Sequence, residues 1–304
     1  MSKKDFYYLS ADGNTKIHGI RWMPEGEIKA VLQILHGMAE YIERYHAFAQ
    51  FLNERGILVV GHDHLGHGKS VTEEKNFGYF KEPDGNRCVI ADIHQLRKQT
   101  QEEYAGVPYF MMGHSMGSFL LRQYLGKYEE GLSGAIIMGT GDQPAAALKA
   151  GKLVCKMIAA GKGWYHRSQF VNGLAIGAYE KKLGLGWLSV NEANVRAYEQ
   201  DPLCGFTFTV NGFYHMFDGM DQMNKQESAG KLPKNLPLFF VAGAEDPVGS
   251  FGKGVRKVYE RYLSKGAKKA ALKLYPKDRH EILNEDDRMQ VYEDLYAWIC
   301  RQGH

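Results

Sequence analysis

The pentapeptide GHSMG at residues 113–117 constrains the fold of this chain more than any other feature of its sequence. It directly follows an apolar run at 109–112 and directly precedes apolar residues at helical spacing, so it predicts a sharp turn from a buried strand into a helix. Glycines two residues before and two residues after Ser115 leave room for neighbouring backbone to approach closely. The Ser115 hydroxyl would then lie exposed at the start of the helix, where the Met116 N–H is free to donate to an oxyanion.

Short apolar runs bounded by turn residues recur along the chain and predict the sheet to which this turn belongs. Their near-continuous apolar character is typical of parallel strands buried on both faces. Two earlier candidate strands, at 6–9 and 16–22, are joined by Asp-Gly-Asn, which suits a tight hairpin turn. Helical patterns separate the later runs, so we expect an α/β sheet covered by helices on both sides. The runs lie at 31–35, 57–60, 109–112, 135–138, 238–242 and 271–275.

The alternation of strands and helices stops between about residues 141 and 235. This region has apolar residues at helical spacing but no convincing buried strand, which predicts a helical insertion between two strands of the sheet. Between residues 149 and 182 the insertion contains seven basic residues and one acidic residue. A helix with lysines beside an apolar face can lie in a membrane interface, so a weak peripheral membrane contact is one prediction. The alternative is that the apolar side chains face their own domain and the lysines are solvated. The apolar residues are Leu153, Val154, Met157 and Ile158, and the lysines are Lys149, Lys152 and Lys156.

Composition excludes several classes of protein. The 304 residues are 44% hydrophobic and 24% charged, which is unlike a disordered or a fibrous chain. A net charge of +3 is too small to indicate nucleic-acid binding, and there is no apolar run of about 18 residues to span a membrane. No apolar segment follows the basic N-terminus, so we expect no signal peptide. Four widely spaced cysteines without a C-x-x-C pair favour reduced thiols in a cytoplasmic protein.

Two residues late in the chain are candidates to activate Ser115. A serine hydroxyl is a good nucleophile only when a histidine takes its proton and a carboxylate orients that histidine, and in folds with this kind of turn the chain order is Ser, acid, His. Asp246 follows the apolar run at 238–242, and His280 lies between the last run and the last helical pattern. Of the 12 histidines, His280 alone satisfies both order and placement. Glu245 and Asp142, which follows the run at 135–138, are alternative acids.

A second turn is predicted where His36 and Gly37 end the run at 31–35. A glycine after a strand lets the chain reverse tightly, and the N–H of Met38 can then face the serine as a second oxyanion donor. His36 taken alone is also consistent with a histidine satisfied within the core.

The segment GHDHLGHG at 61–68 is rich in histidine, and imidazole and carboxylate groups bind zinc. Its spacing does not match the usual metallohydrolase array, and its glycines indicate a tight turn after a strand, so we expect a structural loop without metal. Neither a phosphate-binding loop motif nor a dinucleotide-binding fingerprint is present.

Three segments together resemble one branch of the α/β-hydrolases, the branch that contains monoacylglycerol lipases and lysophospholipases. They are HGMAE at 36–40 followed by Arg44 and Tyr45, DHLGHGKS at 63–70, and GHSMG at 113–117. The resemblance covers the sheet domain nearly end to end. It implies an eight-stranded, mostly parallel sheet flanked by helices, a helical cap after the sixth strand, and ester hydrolysis without a cofactor.

Carried over by position, the resemblance implies that Ser115 is the nucleophile, His280 the base and Asp246 the acid. Backbone N–H groups of Met38 and Met116 would form the oxyanion hole. The sequence departs from the family at Met38, where a small residue is common, and at Ser118. Neither change removes a backbone donor.

We therefore expect a serine ester hydrolase that acts through an acyl-enzyme on a hydrophobic substrate of the monoacylglycerol or lysophospholipid type. The expected domains are a core of residues 1–141 and 227–304 and a cap of residues 142–226. A carboxylesterase, thioesterase or peptidase on the same scaffold is an alternative, because fold does not determine substrate. A noncatalytic ligand-binding module is an alternative from a different class.

Overall fold

The computed structural model describes residues 2–303, except for the side chains at positions 178, 180 and 182. Eight strands form one sheet in the order β1-β2-β4-β3-β5-β6-β7-β8. Strands β1, β2 and β4 pair antiparallel, and all other neighbours pair parallel. The strands are β1 (Ser2–Leu9), β2 (Lys16–Met23), β3 (Ala30–Leu35), β4 (Ile57–His62), β5 (Tyr109–His114), β6 (Gly134–Met138), β7 (Leu238–Gly243) and β8 (Ala270–Tyr275).

Helices cover both faces of the sheet, because successive side chains of a buried strand point in opposite directions. In β3, Val31 and Leu35 belong to the core on one face, whereas Leu32 and Ile34 belong to the core on the other. The first face packs against α2 (Gly85–Glu103), α3 (Met116–Leu125), α8 (Val210–Ser228) and α9 (Lys253–Ser264). The second packs against α1 (His46–Asn53) and α10 (Arg288–Gln302).

The predicted mostly parallel, eight-stranded sheet with a helical insertion after the sixth strand is confirmed. Strands β3 to β7 are buried along their whole length, as their apolar runs predicted. The prediction was wrong for β8, where only Tyr275 is fully buried. Because β8 is an edge strand, its outer side has no neighbouring strand to cover it.

The insertion between β6 and β7 is helical in the part of the chain that the structure describes. It contains α4 (Ala145–Lys162), α5 (Gln169–Asn172), α6 (Ala178–Leu183), α7 (Glu192–Gln200) and α8. Helix α4 packs closely on α8 at Gly151, where a Cβ atom would lie 2.8 Å from the Phe217 ring. The expected boundary between 226 and 227 falls in the last turn of α8, so α8 belongs to both the insertion and the wall of the core.

Helix α4 does not present the single apolar face that its sequence suggested. Leu153 and Met157 are 60% and 67% exposed, whereas Val154 and Ile158 pack against the core. Lys152 forms ion pairs with Asp218 and Asp221 on α8, at 2.9 and 2.7 Å, and is therefore not free at the surface. The side chains of Glu180 and Lys182, which were counted in the charge of this region, lie outside the described residues. Over residues 2–303, no helix is long and apolar enough to cross a membrane.

Candidate active site

Ser115 lies at the turn between β5 and α3 in a strained backbone conformation. Its φ of 53° and ψ of −121° are unusual for a residue with a side chain, and such strain is typical of functional turns. The turn requires the two flanking glycines. A Cβ atom at Gly113 would lie 2.3 Å from the Gly117 carbonyl oxygen, and a Cβ at Gly117 would lie 2.1 Å from the Leu35 carbonyl oxygen. The predicted strand-to-helix turn at Ser115 is therefore present.

Asp246 and His280 form a buried hydrogen-bonded pair. Nδ1 of His280 lies 3.0 Å from Oδ2 of Asp246, and the other carboxylate oxygen accepts from the Val248 N–H at 2.9 Å. Asp246 is fully buried and His280 is 2% exposed. With Nδ1 donating to the carboxylate, Nε2 carries the free lone pair, and among the described residues it has no hydrogen-bond partner. This arrangement suits a base that accepts a proton at Nε2.

The two alternative acids are engaged elsewhere or exposed. Asp142 forms ion pairs with Lys257 and Arg261 on α9. Burial raises the pKa of Asp142, but hydrogen bonds from these two cations outweigh it and hold the pKa below its ordinary value. Glu245 is exposed to solvent. Of the three carboxylates, only Asp246 contacts His280.

The loop after β3 brings Met38 to the cavity that Ser115 also borders. A Cβ atom at Gly37 would lie 3.1 Å from Cβ of Ser115, so the backbone of this loop passes directly beside the nucleophile candidate. Across residues 2–303, neither the Met38 N–H nor the Met116 N–H donates to a protein acceptor. Both amides are therefore free to donate, and their role as donors to a developing oxyanion stays a prediction.

Glu40 and His114 support this loop, and sequence reasoning assigned neither a role. Oε1 of Glu40 accepts from the Gly37 N–H at 2.6 Å and lies 3.2 Å from Nδ1 of His114. Nε2 of His114 lies 3.2 Å from the carbonyl oxygen of His280, which links the two sides of the site. Burial lowers the pKa of His114, but the Glu40 carboxylate outweighs it and raises the pKa above its ordinary value.

Arg44 balances the charge of two buried carboxylates in the same network. It binds Glu281 at 2.6 and 2.8 Å and Glu40 at 3.0 Å. Burial raises the pKa of Glu40, but the hydrogen bond from His114 and the Arg44 charge hold it below its ordinary value. In the sequence, the signal for this network is the oppositely charged pair Glu40 and Arg44, which follows His36 and Gly37. Glu281, which is distant in the chain, had no such signal.

An apolar cavity of about 510 Å³ adjoins Ser115 and His280. Its volume is within the range of small-molecule sites. The walls come mainly from α4, from α8 and from the segment between α5 and α7. Apolar lining residues include Leu148, Val154, Ile176, Leu185, Met216 and Met220.

The histidine-rich segment packs beneath the loop that contains Met38. The rings of His36 and His64 lie 4.2 Å apart, and the Ala39 N–H points to Nε2 of His67 at 3.3 Å. The pKa of His67 is lowered to about 3, mainly by burial and secondly by the nearby His36. The ring is therefore neutral and can accept the hydrogen bond from the Ala39 N–H. Among the described residues no group of three His, Cys, Asp or Glu side chains is arranged to hold a metal ion.

Known proteins resemble this chain over almost its entire length. The family model described as serine aminopeptidase, S33, matches residues 26–287. A monoacylglycerol lipase from Mycolicibacterium smegmatis is 27% identical over 301 residues, which cover 98% of each chain. The human monoglyceride lipase is 24% identical over 294 residues, which cover 92% of this chain and 86% of the human protein.

Solved structures show the same architecture. A thermostable carboxyl esterase from Bacillus coagulans, in complex with glycerol, superposes with a TM-score of 0.91 at 30% identity and covers 100% of both chains. A soluble variant of the monoglyceride lipase from Saccharomyces cerevisiae, in complex with a substrate analog, gives a TM-score of 0.79 at 19% identity. The alignment covers 99% of this chain and 96% of the yeast protein. At that identity the second likeness shows the fold alone.

Proposed function

Because this chain belongs to the α/β-hydrolase family described as serine aminopeptidase, S33, we propose that it hydrolyses carboxylic esters of the monoacylglycerol type. It is a serine hydrolase of the monoacylglycerol lipase and esterase family. One observation carries the finer proposal. Ser115 and His280, whose Nδ1 is held by the buried Asp246, border the same cavity, and its other walls are mainly apolar.

In the proposed mechanism, Ser115 attacks the ester carbonyl while Nε2 of His280 takes the hydroxyl proton. Asp246 holds the imidazole in the tautomer that leaves Nε2 free and stabilises the imidazolium that forms. The Met38 and Met116 amides stabilise the oxyanion. His280 returns the proton to the leaving alcohol, and a water molecule activated in the same way then releases the acyl group from Ser115.

The charge of the cavity supports a neutral alcohol as the leaving group. Among the described lining residues there is no Lys or Arg, and the two carboxylates, Glu40 and Glu281, are already paired with Arg44. A phosphate headgroup would therefore enter without a cationic partner, at a high desolvation cost. Glycerol needs no such partner. A monoacylglycerol is thus favoured over a lysophospholipid, and a simpler carboxylic ester, as for the Bacillus relative, is the second candidate.

We propose residues 142–226 as the cap and 1–141 with 227–304 as the core. The cap covers the cavity through α4 and α8. Its exposed apolar side chains, Leu153 and Met157 among them, support a weak peripheral contact with membranes. The four cysteines are free thiols, which supports a cytoplasmic location.

Hydrolysis of a panel of monoacylglycerols, p-nitrophenyl esters and lysophospholipids tests the proposal. We expect turnover of the first two classes and labelling of the parent chain, but not of Ser115→Ala, by a fluorophosphonate probe. Since triad members act as a unit, Ser115→Ala and His280→Ala should each lose several orders of magnitude in kcat, on the order of 10⁵ or more. Retention of substantial esterase activity by Ser115→Ala would contradict the mechanism. Preferred turnover of lysophospholipids would contradict the substrate assignment.

A further inference from the structure

Trp187, in the insertion, packs directly against the proposed base. The centres of the Trp187 indole and the His280 imidazole lie 5.1 Å apart, with an angle of 43° between the ring planes. Trp187 is only 9% exposed and borders the cavity. Its indole N–H has no hydrogen-bond partner among the described residues, so no polar contact of that group explains its position.

The residues on both sides of Trp187 are bound to the residues on both sides of His280. The Gly186 carbonyl oxygen accepts from the Arg279 guanidinium at 2.5 Å. The Leu188 carbonyl oxygen accepts from the Glu281 N–H at 2.8 Å. Two segments about 93 residues apart in the chain are thus joined by hydrogen bonds on both sides of the contact between the two rings.

A buried carboxylate strengthens the same connection. Glu285 is fully buried and accepts from the Ser189 hydroxyl at 2.6 Å and from the Val190 N–H at 3.0 Å. It also accepts from the Asn191 N–H at 3.2 Å and from the Arg279 N–H at 2.9 Å. The Glu285 side chain therefore holds residues 189–191, which follow Trp187 closely, next to Arg279, which precedes His280. Hydrogen bonds to a buried charged acceptor are among the stronger ones in proteins.

We propose that Trp187 is a positioning residue for His280 and that Glu285 keeps it in place. This inference rests on the proposed function, in which His280 becomes positively charged when it takes the Ser115 proton. A cation within about 6 Å of an indole face is attracted to it, most strongly where water is excluded. Trp187 would thereby favour the imidazolium and restrict the ring to the orientation that Asp246 also imposes.

Steady-state hydrolysis of p-nitrophenyl butyrate tests the role of the indole. We expect Trp187→Leu to lower kcat about tenfold and to change KM less than twofold, because the lost interaction forms in the transition state. Trp187→Phe, which keeps an aromatic face, should retain kcat within about threefold. Trp164→Leu is the matched control. It removes another indole of the insertion, one that packs against Tyr214 and not against His280, and it should leave kcat unchanged.

Glu285→Gln tests whether the Glu285 carboxylate keeps Trp187 against His280. It should lower kcat about as much as Trp187→Leu, and the double variant should lose no more than the worse single variant, since both changes act on one contact. Tryptophan emission gives a second measurement, which needs no hydrolysis. Subtracting the spectrum of Trp187→Phe isolates the Trp187 signal, which should shift to longer wavelength in Glu285→Gln as the indole becomes hydrated.

The inference is overturned if Trp187→Leu keeps kcat within twofold of the parent, if the losses of the two variants multiply, or if Glu285→Gln leaves the Trp187 emission unchanged. Far-UV circular dichroism at the assay temperature excludes unfolding as the cause of a loss. If the parent chain hydrolyses no ester, the proposed function fails, and the emission result still decides whether Glu285 holds Trp187.

Discussion

Replacing His62 with glutamine should make the stability of this protein less sensitive to acid. His62, at the end of β4, is 2% exposed, and its ring lies 2.8 Å from the Tyr8 hydroxyl and 2.9 Å from Nδ1 of His64. The pKa of His62 is lowered to about 3, mainly by burial and secondly by the nearby His36. The unfolded chain titrates near 6.5, so between these values the unfolded state binds a proton that the folded state does not.

The sign and size of the effect follow from linkage. A histidine whose pKa is depressed in the folded state contributes stability at neutral pH, and this stability is lost as pH falls below the unfolded value. For an unfolded pKa of about 6.5, the loss between pH 7.5 and pH 5.0 is about 2 kcal/mol per histidine. As long as the folded pKa is below about 4, its exact value hardly changes this figure. For 304 residues, about 2 kcal/mol corresponds to about 3 °C in Tm.

The assay compares urea unfolding at pH 7.5 and pH 5.0 for the parent and for His62→Gln. The readout is the difference between the two chains in the stability lost on acidification. Other groups shift the stability of both chains in the opposite direction; for example, burial raises the pKa of Asp92 to about 7. We expect the variant to lose about 2 kcal/mol less than the parent over this interval. Tyr8→Phe is the control, since it removes a hydrogen bond of His62 but keeps the titrating ring, and its cost should be the same at both pH values. Equal acid losses in the parent and in His62→Gln would refute the reasoning.

Three further predictions concern the acid, the core and the insertion. Asp246→Asn should lower kcat on the order of 10⁴, as in serine-protease triads, and Asp142→Asn far less; the reverse order of measured kcat values would transfer the role to Asp142. Arg122→Met should cost about 3 kcal/mol and lower Tm by about 5 °C, because it removes the bidentate partner of the buried Glu227 carboxylate at 2.8 and 2.9 Å and leaves it with Arg261 and the Tyr262 hydroxyl, each at 3.0 Å. A Tm decrease below about 1 °C in calorimetry would contradict this. Leu153→Ser combined with Met157→Ser should weaken sedimentation with anionic vesicles while sparing hydrolysis of a short soluble ester, and absence of vesicle binding by the parent at low salt would reject the membrane contact.

Part of the fold could be predicted because its signals are local. A strand buried on both faces needs a continuous apolar run, and a tight strand-to-helix turn needs glycines where a Cβ would meet backbone, as at Gly113 and Gly117. These requirements act over a few residues, so they are visible in the sequence without knowledge of distant contacts. The placement of Ser115, Asp246 and His280, each after a predicted strand, follows from the same alternation of strands and turns.

Other properties of the site depend on residues that are far apart in the chain. Asp246, Glu245 and Asp142 all follow strands, and only the packing of α9 against Asp142 and the contact of Asp246 with His280 distinguish them. Helical spacing likewise did not predict which side of α4 faces α8, because Lys152 lies on that side and forms ion pairs with Asp218 and Asp221.

The sequence alone determined the class of fold and indicated the nucleophile candidate and the candidates for its partners, because each follows a short-range pattern. The tertiary structure alone decided which carboxylate contacts the imidazole, how Arg44 neutralises Glu40 and Glu281, and which side chain of the insertion covers His280. Apart from the Arg44–Glu40 pair, which is four residues apart, these contacts join segments from 34 to 237 residues apart. Burial makes such polar contacts strong and specific, but no local periodicity encodes them.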